Sequence, residues 1–241
     1  MVLLHGWGVH CGVWSELMRA LALRFHVHAV DLAGYGASPV CKPYAIERIA
    51  SGLALQMPKS CAVCGWSLGG QVALTWASGA PQQVGRVALI ATTPCFSRRD
   101  DWSHAVEAEL LHEFAQKLVS DYDGALQRFL SMMARGDARA GEVRRRLRKT
   151  LLARGRPGTR VLQKGLEILL GTDLRPGLHA ITQPALVVHG DRDILTPLAA
   201  GEYLSRMLPN ARLEVMRRAA HAPFVSNPGE VSALLAKFFD G

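Results

Sequence analysis

The pentapeptide Gly65-Trp66-Ser67-Leu68-Gly69 constrains this chain more than any other stretch. Before it, Cys61-Ala62-Val63-Cys64 predicts a short buried strand. After it, residues 68–78 predict a helix that packs through Leu68, Val72, Leu74 and Trp76. A Gly-x-Ser-x-Gly between a strand and a helix makes a sharp turn that lifts the serine hydroxyl clear of the backbone. Glycine is required where a Cβ would strike that turn or the neighbouring strand. A pattern with three fixed positions also arises as a plain Gly/Ser turn. The strand and the helix on either side favour the exposed nucleophile.

The rest of the chain repeats the alternation of short apolar strands and helices. Strands are predicted at 2–4, 26–30, 84–91 and 184–189, with a shorter one at 213–216. Helices are predicted at 13–23, 44–57 and 228–239, the last with Val231, Leu234, Leu235 and Phe238 on one side. This rhythm predicts an α/β fold: a mostly parallel sheet covered by helices on both faces. Between about 96 and 181 the rhythm stops, and the chain is polar, Arg-rich and helical in pattern. The expected organisation is a core of residues 1–96 and 181–241 with a helical cap insertion at 97–180.

Bulk properties narrow the function classes. A chain of 241 residues that is 49% hydrophobic and 20% charged has room for one sizeable core. It has no apolar run long enough for a membrane span and no signal-peptide pattern. Five cysteines are too few for a disulfide scaffold. Cys61 and Cys64 fall within a strand rather than at a helix N-terminus, so they read as packing residues. Reduced thiols without an export signal favour the cytoplasm. The net charge of +8 invites a nucleic-acid reading. However, the basic residues are not interleaved with aromatics and no nucleic-acid motif is present.

A serine nucleophile needs a base, and the base needs an orienting acid. In sheets of this kind their order along the chain is Ser, then Asp or Glu, then His. His221 follows the last strand in Ala219-Ala220-His221-Ala222-Pro223-Phe224, where small neighbours leave room for the imidazole. His189 ends a strand and reads as buried. Gly190-Asp191-Arg192-Asp193 lies at the C-terminal edge of a strand, where sites in such sheets form. On physics alone, either aspartate could be the acid or a turn residue. Asp31 precedes the serine and fits a turn. Two oxyanion donors are also needed. The backbone N–H of Leu68 is one, and the glycine loop His5-Gly6-Trp7-Gly8 offers the other, from Trp7. The chemistry calls for no metal and no cofactor.

With these residues in place, the chain resembles the α/β-hydrolase superfamily over nearly its whole length. Within it, the chain is most similar to the pimeloyl-acyl carrier protein methyl ester esterases of biotin synthesis. The resemblance rests on Leu3-Leu4-His5-Gly6-Trp7-Gly8, Gly65-Trp66-Ser67-Leu68-Gly69-Gly70, Pro94-Cys95-Phe96-Ser97, Arg128-Phe129-Leu130, Gly165-Leu166-Glu167-Ile168-Leu169 and the His221 segment. It implies a Ser67–His221–Asp193 triad, because the family's acid stands three residues after the glycine and four before a proline. It implies a substrate site lined by Trp7, Ser67, Leu68, Phe129, Leu130, Ser131, Met132, Met133 and His221. It also implies a further strand or two ahead of the one predicted at 2–4, so those N-terminal strands of the usual fold are expected to be missing here.

Residues 142–152 predict a helix with Val143, Leu147 and Leu151 on one face and Arg144, Arg145 and Arg148 projecting away. A solvated helix face accounts for such a run. The resemblance adds a sharper expectation, that Arg128, Arg144, Arg145 and Arg148 dock an acidic acyl carrier protein. The expected activity is hydrolysis of a carrier-bound methyl ester by a monomer. The alternatives are a broad short-chain esterase or a carbon–carbon bond hydrolase of the same fold, and then a non-catalytic binding protein.

Overall fold

The computed structural model describes residues 1–154 and 157–241. Its sheet has six strands: β1 (Val2–Leu4), β2 (His28–Val30), β3 (Cys61–Trp66), β4 (Val84–Ile90), β5 (Ala185–Gly190) and β6 (Ala211–Met216). They lie in the order β2-β1-β3-β4-β5-β6, and every pair is parallel. The central strands are apolar on both faces, as a parallel sheet covered on both sides requires. β2 is a short edge strand of half-buried residues.

The helices flanking the sheet pack in two groups. α1 (Ser15–Leu21) lies against the C-terminal helix α10 (Pro228–Asp240), and α2 (Ile46–Gln56) lies against α3 (Leu68–Gly79). Between β4 and β5 the chain forms α4 (Ala108–Ser120), α5 (Tyr122–Ala134), α6 (Ala140–Ala153) and α7 (Thr159–Gly171). α4 packs on α5 and α7, and α5 packs on α6. α6 rests on the short α9 (Pro223–Ser226) and on a 3-10 turn at Cys11–Trp14. α8 (Leu198–Met207) packs on β5 and β6. No helix among the described residues is long and apolar enough to cross a membrane.

Several element boundaries differ from the sequence expectation by one or two residues, and three of the differences have a local cause. The first helix is shortened to α1 because His10 caps the 3-10 turn, its Nδ1 accepting from the Gly12 N–H. α2 starts at Ile46 rather than 44, because Ala45 is extended at φ −137°, ψ 153° and stands as its N-cap. β6 begins at Ala211, two residues earlier than expected. Its partly exposed start is carried by a ladder to β5 from Ala185 onward.

Candidate active site

Ser67 sits between β3 and α3 at φ +56°, ψ −119°, outside the regions that L residues ordinarily favour. Such a conformation costs on the order of 1–3 kcal/mol and survives only where its surroundings enforce it. Here the Ser67 N–H donates to the Ile90 carbonyl at 3.0 Å, and the Ser67 carbonyl accepts from Gly70 and Gln71. The flanking glycines follow from space. A Cβ on Gly65 would lie 2.2 Å from the Gly69 carbonyl oxygen, and one on Gly69 would lie 2.3 Å from that of Leu4.

The loop after β6 brings the His221 ring over this elbow. Its Nε2 lies 3.0 Å from Ser67 Oγ, and its Nδ1 lies 2.8 Å from Asp193 Oδ2. All three side chains are buried. Trp66, inside the elbow motif, donates its indole N–H to the His221 carbonyl at 2.7 Å. Asp193 follows β5. Its Oδ1 accepts the backbone N–H groups of Leu195 and Thr196, and its Oδ2 accepts the Thr196 hydroxyl at 2.7 Å. Burial pushes the Asp193 carboxyl up. The charge and hydrogen bond of His221, with help from His189 and the Thr196 N–H, outweigh it and leave the carboxyl below its ordinary value. An ionised Asp193 holds the Nδ1 proton on His221 and leaves Nε2 free to accept from Ser67.

The two aspartates of the Gly190–Asp193 turn have separate places. Asp191 does not reach the imidazole. Its Oδ1 accepts the Arg218 N–H at 2.6 Å, pinning the start of the loop that carries His221. His189 is buried, with Nε2 donating to the Thr196 carbonyl at 2.6 Å. Burial holds its pKa below the ordinary value. Asp31 stays in its turn, accepting from the Cys11 and Ala37 N–H groups.

The loop after β1 passes close to Ser67: a Cβ on Gly6 would lie 3.3 Å from the Ser67 Cβ. The Leu68 N–H heads a helix and has no partner within it. Among the described residues, neither it nor the Trp7 N–H has a protein acceptor. His5, unremarked in the sequence beyond its glycine loop, shapes this loop. Its Nε2 accepts from the Leu32 N–H at 3.0 Å, so the proton lies on Nδ1, which donates to the Gly6 carbonyl at 2.8 Å. Burial lowers the His5 pKa to about 4, against smaller raising effects from the Gly6 bond and Asp31. The unfolded chain therefore takes up a proton at His5 between its ordinary pKa of 6.5 and about 4, and the folded chain does not. The stability from neutral His5 is whole above about pH 6.5 and is lost as the pH falls to about 4, amounting to about 3 kcal/mol. His189 acts in the same direction. Thermal melts from pH 7 to 4 are expected to show this decline. His5→Asn should lower the midpoint at pH 7 and flatten the slope; a slope unaltered by His5→Asn would exclude His5 as its source.

A narrow apolar cleft opens from Ser67 and His221. It is walled by Trp7, Phe96, Phe114, Phe129, Leu166 and Leu195, among others. The Trp7 and Phe129 rings meet edge to face at 4.8 Å, and the Trp7 indole N–H donates to the Leu162 carbonyl, fixing the ring to α7. Glu113, Lys117 and Arg128 also border the cleft, and all three are exposed. Of the five consecutive residues expected from 129 to 133, Phe129 and Met132 line it. Leu130, Ser131 and Met133 do not: helical pitch turns Leu130 and Met133 into the core and Ser131 out to solvent. The Leu68 side chain is likewise packed in the core. Phe96, Leu166 and Leu169 stand in segments that carried the resemblance. Phe114 and Leu195 had no sequence signal beyond their apolar character.

On α6, Val143, Leu147 and Leu151 are buried, and Arg144, Arg145 and Arg148 are exposed. Arg146 instead pairs with Glu16 and Glu142. Among the described residues Arg128, Arg144, Arg145 and Arg148 form no ion pair. Arg128 and Arg144 flank a shallow depression beside the cleft, shared with Ser131, Met132 and Arg135. Potential metal ligands come together at His10, Cys11 and Asp31. Both His10 nitrogens are already engaged, by Gly12 and Thr150, and the Arg154 guanidinium reaches the Cys11 sulfur.

A serine raised on a strand-to-helix elbow over a parallel sheet, bonded through a histidine to a carboxylate, is the framework of a serine hydrolase. The chain belongs to the alpha/beta hydrolase fold family, whose model matches residues 1–228. It is 43% identical over 229 residues to the pimeloyl-[acyl-carrier protein] methyl ester esterase of Nitrosomonas europaea, covering 95% of this chain and 90% of that one. Its identity to the esterase of the same name from Chromobacterium violaceum is 39% over 240 residues, covering 100% and 94%. Among solved structures, an esterase from Exiguobacterium antarcticum superposes with a TM-score of 0.90 at 21% identity, covering 100% of this chain and 91% of that one.

Proposed function

We propose that this protein is a serine carboxylesterase that hydrolyses the methyl ester of pimeloyl-acyl carrier protein, releasing methanol and the free acid for biotin synthesis. The observation that carries the reading is the Ser67–His221–Asp193 hydrogen-bond chain at the foot of the apolar cleft. The substrate follows from near-full-length identity of 36–43% to esterases of that name.

Ser67 Oγ attacks the ester carbonyl as His221 Nε2 takes its proton. Asp193 stabilises the imidazolium that forms. The N–H groups of Trp7 and Leu68 receive the oxyanion, each worth about 10²–10³ in turnover. His221 then protonates the departing methoxide, giving methanol. Water, activated by the same imidazole, attacks the acyl-enzyme and releases the acid. The largely apolar lining of the cleft favours an alkyl chain, with Glu113, Lys117 and Arg128 as its charged lining residues.

The acidic carrier docks on the basic face formed by Arg128, Arg144, Arg145 and Arg148. Five free cysteines suit a reducing compartment such as the cytoplasm. Charge reversal of Arg144, Arg145 and Arg148 together is expected to lower kcat/KM for the carrier-bound ester and weaken its salt dependence, leaving a small aryl ester unaffected. These side chains are exposed, so folding should be preserved. Equal losses on both substrates would overturn the docking assignment. Failure of the unmodified protein to cleave the carrier-bound ester, while cleaving the aryl ester, would overturn the substrate.

A further inference from the structure

The turn between α5 and α6 holds a carboxylate that the reaction does not use. Arg135, Gly136, Ala138 and Arg139 are exposed, yet Asp137 between them is 8% exposed. Its Oδ1 accepts the Arg139 N–H at 2.7 Å, the local bond that a turn aspartate ordinarily makes. Its Oδ2 does something else. It accepts the N–H of Ala220, the residue before His221, at 2.9 Å.

Neighbouring contacts run in the same direction. The Met133 carbonyl at the end of α5 accepts the His221 N–H at 3.1 Å. The Ala138 N–H donates to the Arg218 carbonyl at 2.9 Å. Arg192, next to Asp193, donates to the Gly136 carbonyl at 3.1 Å. On the other side of His221, its own carbonyl is held by Trp66. The backbone that aims the imidazole is thus fixed at successive points, two of them supplied by residues 133–137. Arg218 has φ +60°, a left-handed conformation that costs a non-glycine residue energy. Such a loop keeps its shape only while neighbours hold it.

We propose that Asp137 is a positioning residue for His221: by binding the Ala220 N–H it sets the imidazole at hydrogen-bond distance from Ser67. This rests on His221 being the general base. The segment between β4 and β5 is therefore more than a cover for the cleft. Its α5–α6 turn is part of the frame that assembles the triad. Removing the carboxylate leaves the Ala220 N–H buried without a partner and frees the loop to shift, and a misplacement of about 1 Å costs on the order of 10²-fold in rate.

The test compares the full-length protein with Asp137→Ala and Asp137→Asn. Turnover of a small aryl ester is measured together with the low-field proton resonance of the His221–Asp193 hydrogen bond. Asp137→Ala is expected to lower kcat on the order of 10- to 100-fold with KM unchanged, and to broaden the low-field resonance. Asp137→Asn should recover part of the rate, because its amide oxygen can still accept one N–H. Unchanged kcat with an unchanged resonance would overturn the proposal. So would a change in KM alone, which would assign Asp137 to the docking surface. If Asp137→Ala fails to fold, Asp137→Asn decides: reduced kcat at native thermal stability supports the assignment, and wild-type kcat overturns it. A fault in the underlying reading shows separately, as Ser67→Ala retaining turnover.

Discussion

Ser67→Ala is expected to lower kcat on the carrier-bound ester by about 10⁶-fold. The size follows from the way the residues act as a unit. Without Oγ there is nothing for His221 Nε2 to deprotonate, so base and acid fall idle together. What remains is the activation of a bound ester by the two oxyanion N–H groups, a residual of about 10³–10⁴ over water. The fold should be indifferent to the change. Alanine keeps the Cβ, and the bonds that hold the elbow at φ +56° are made by the Ser67 backbone rather than its hydroxyl. Thermal melts and carrier binding are expected to match the parent protein. Turnover that survives Ser67→Ala would reject the esterase mechanism and revive a binding protein on a hydrolase scaffold.

What the sequence could disclose was whatever local chemistry dictates. Glycines at 65 and 69 are demanded by contacts with the motif's own backbone and the adjacent strand, and the pattern states them outright. Apolar runs bounded by turns located the six strands, and the spacing of Val143, Leu147 and Leu151 separated the buried face of α6 from its arginines. Choosing between Asp191 and Asp193 was beyond local chemistry, because both lie in one turn. The choice depends on how β5 and β6 present their loops: Arg218 meets one carboxylate and His221 the other. The five residues from 129 show the same limit. A matching segment marks a neighbourhood, but helical pitch decides that Phe129 and Met132 face the cleft while Leu130 and Met133 face the core. Asp137 and Ala220 lie 83 positions apart, and no pattern along the chain relates them.

Asp193→Asn is expected to lower kcat by about 10⁴-fold, with Asp191→Asn as the paired control. Asparagine keeps the shape of the aspartate, and its amide oxygen can still accept the N–H groups of Leu195 and Thr196. The difference lies at the other position of the side chain. Where Oδ2 accepts from His221 Nδ1, the variant places an NH₂ group that donates to it. The imidazole must then carry its proton on Nε2, where it donates to Ser67 Oγ and can no longer accept from it. The buried negative charge that stabilises the imidazolium is lost as well. Asp191→Asn disturbs neither effect. It weakens one backbone tie at Arg218 and is expected to cost far less in kcat, with a modest fall in thermal stability. Rates measured on a small aryl ester keep carrier docking out of the comparison. Equal losses in the two variants would return the acid to an open choice between neighbouring aspartates. A large loss confined to Asp193→Asn would establish that the carboxylate 2.8 Å from Nδ1 orients the base.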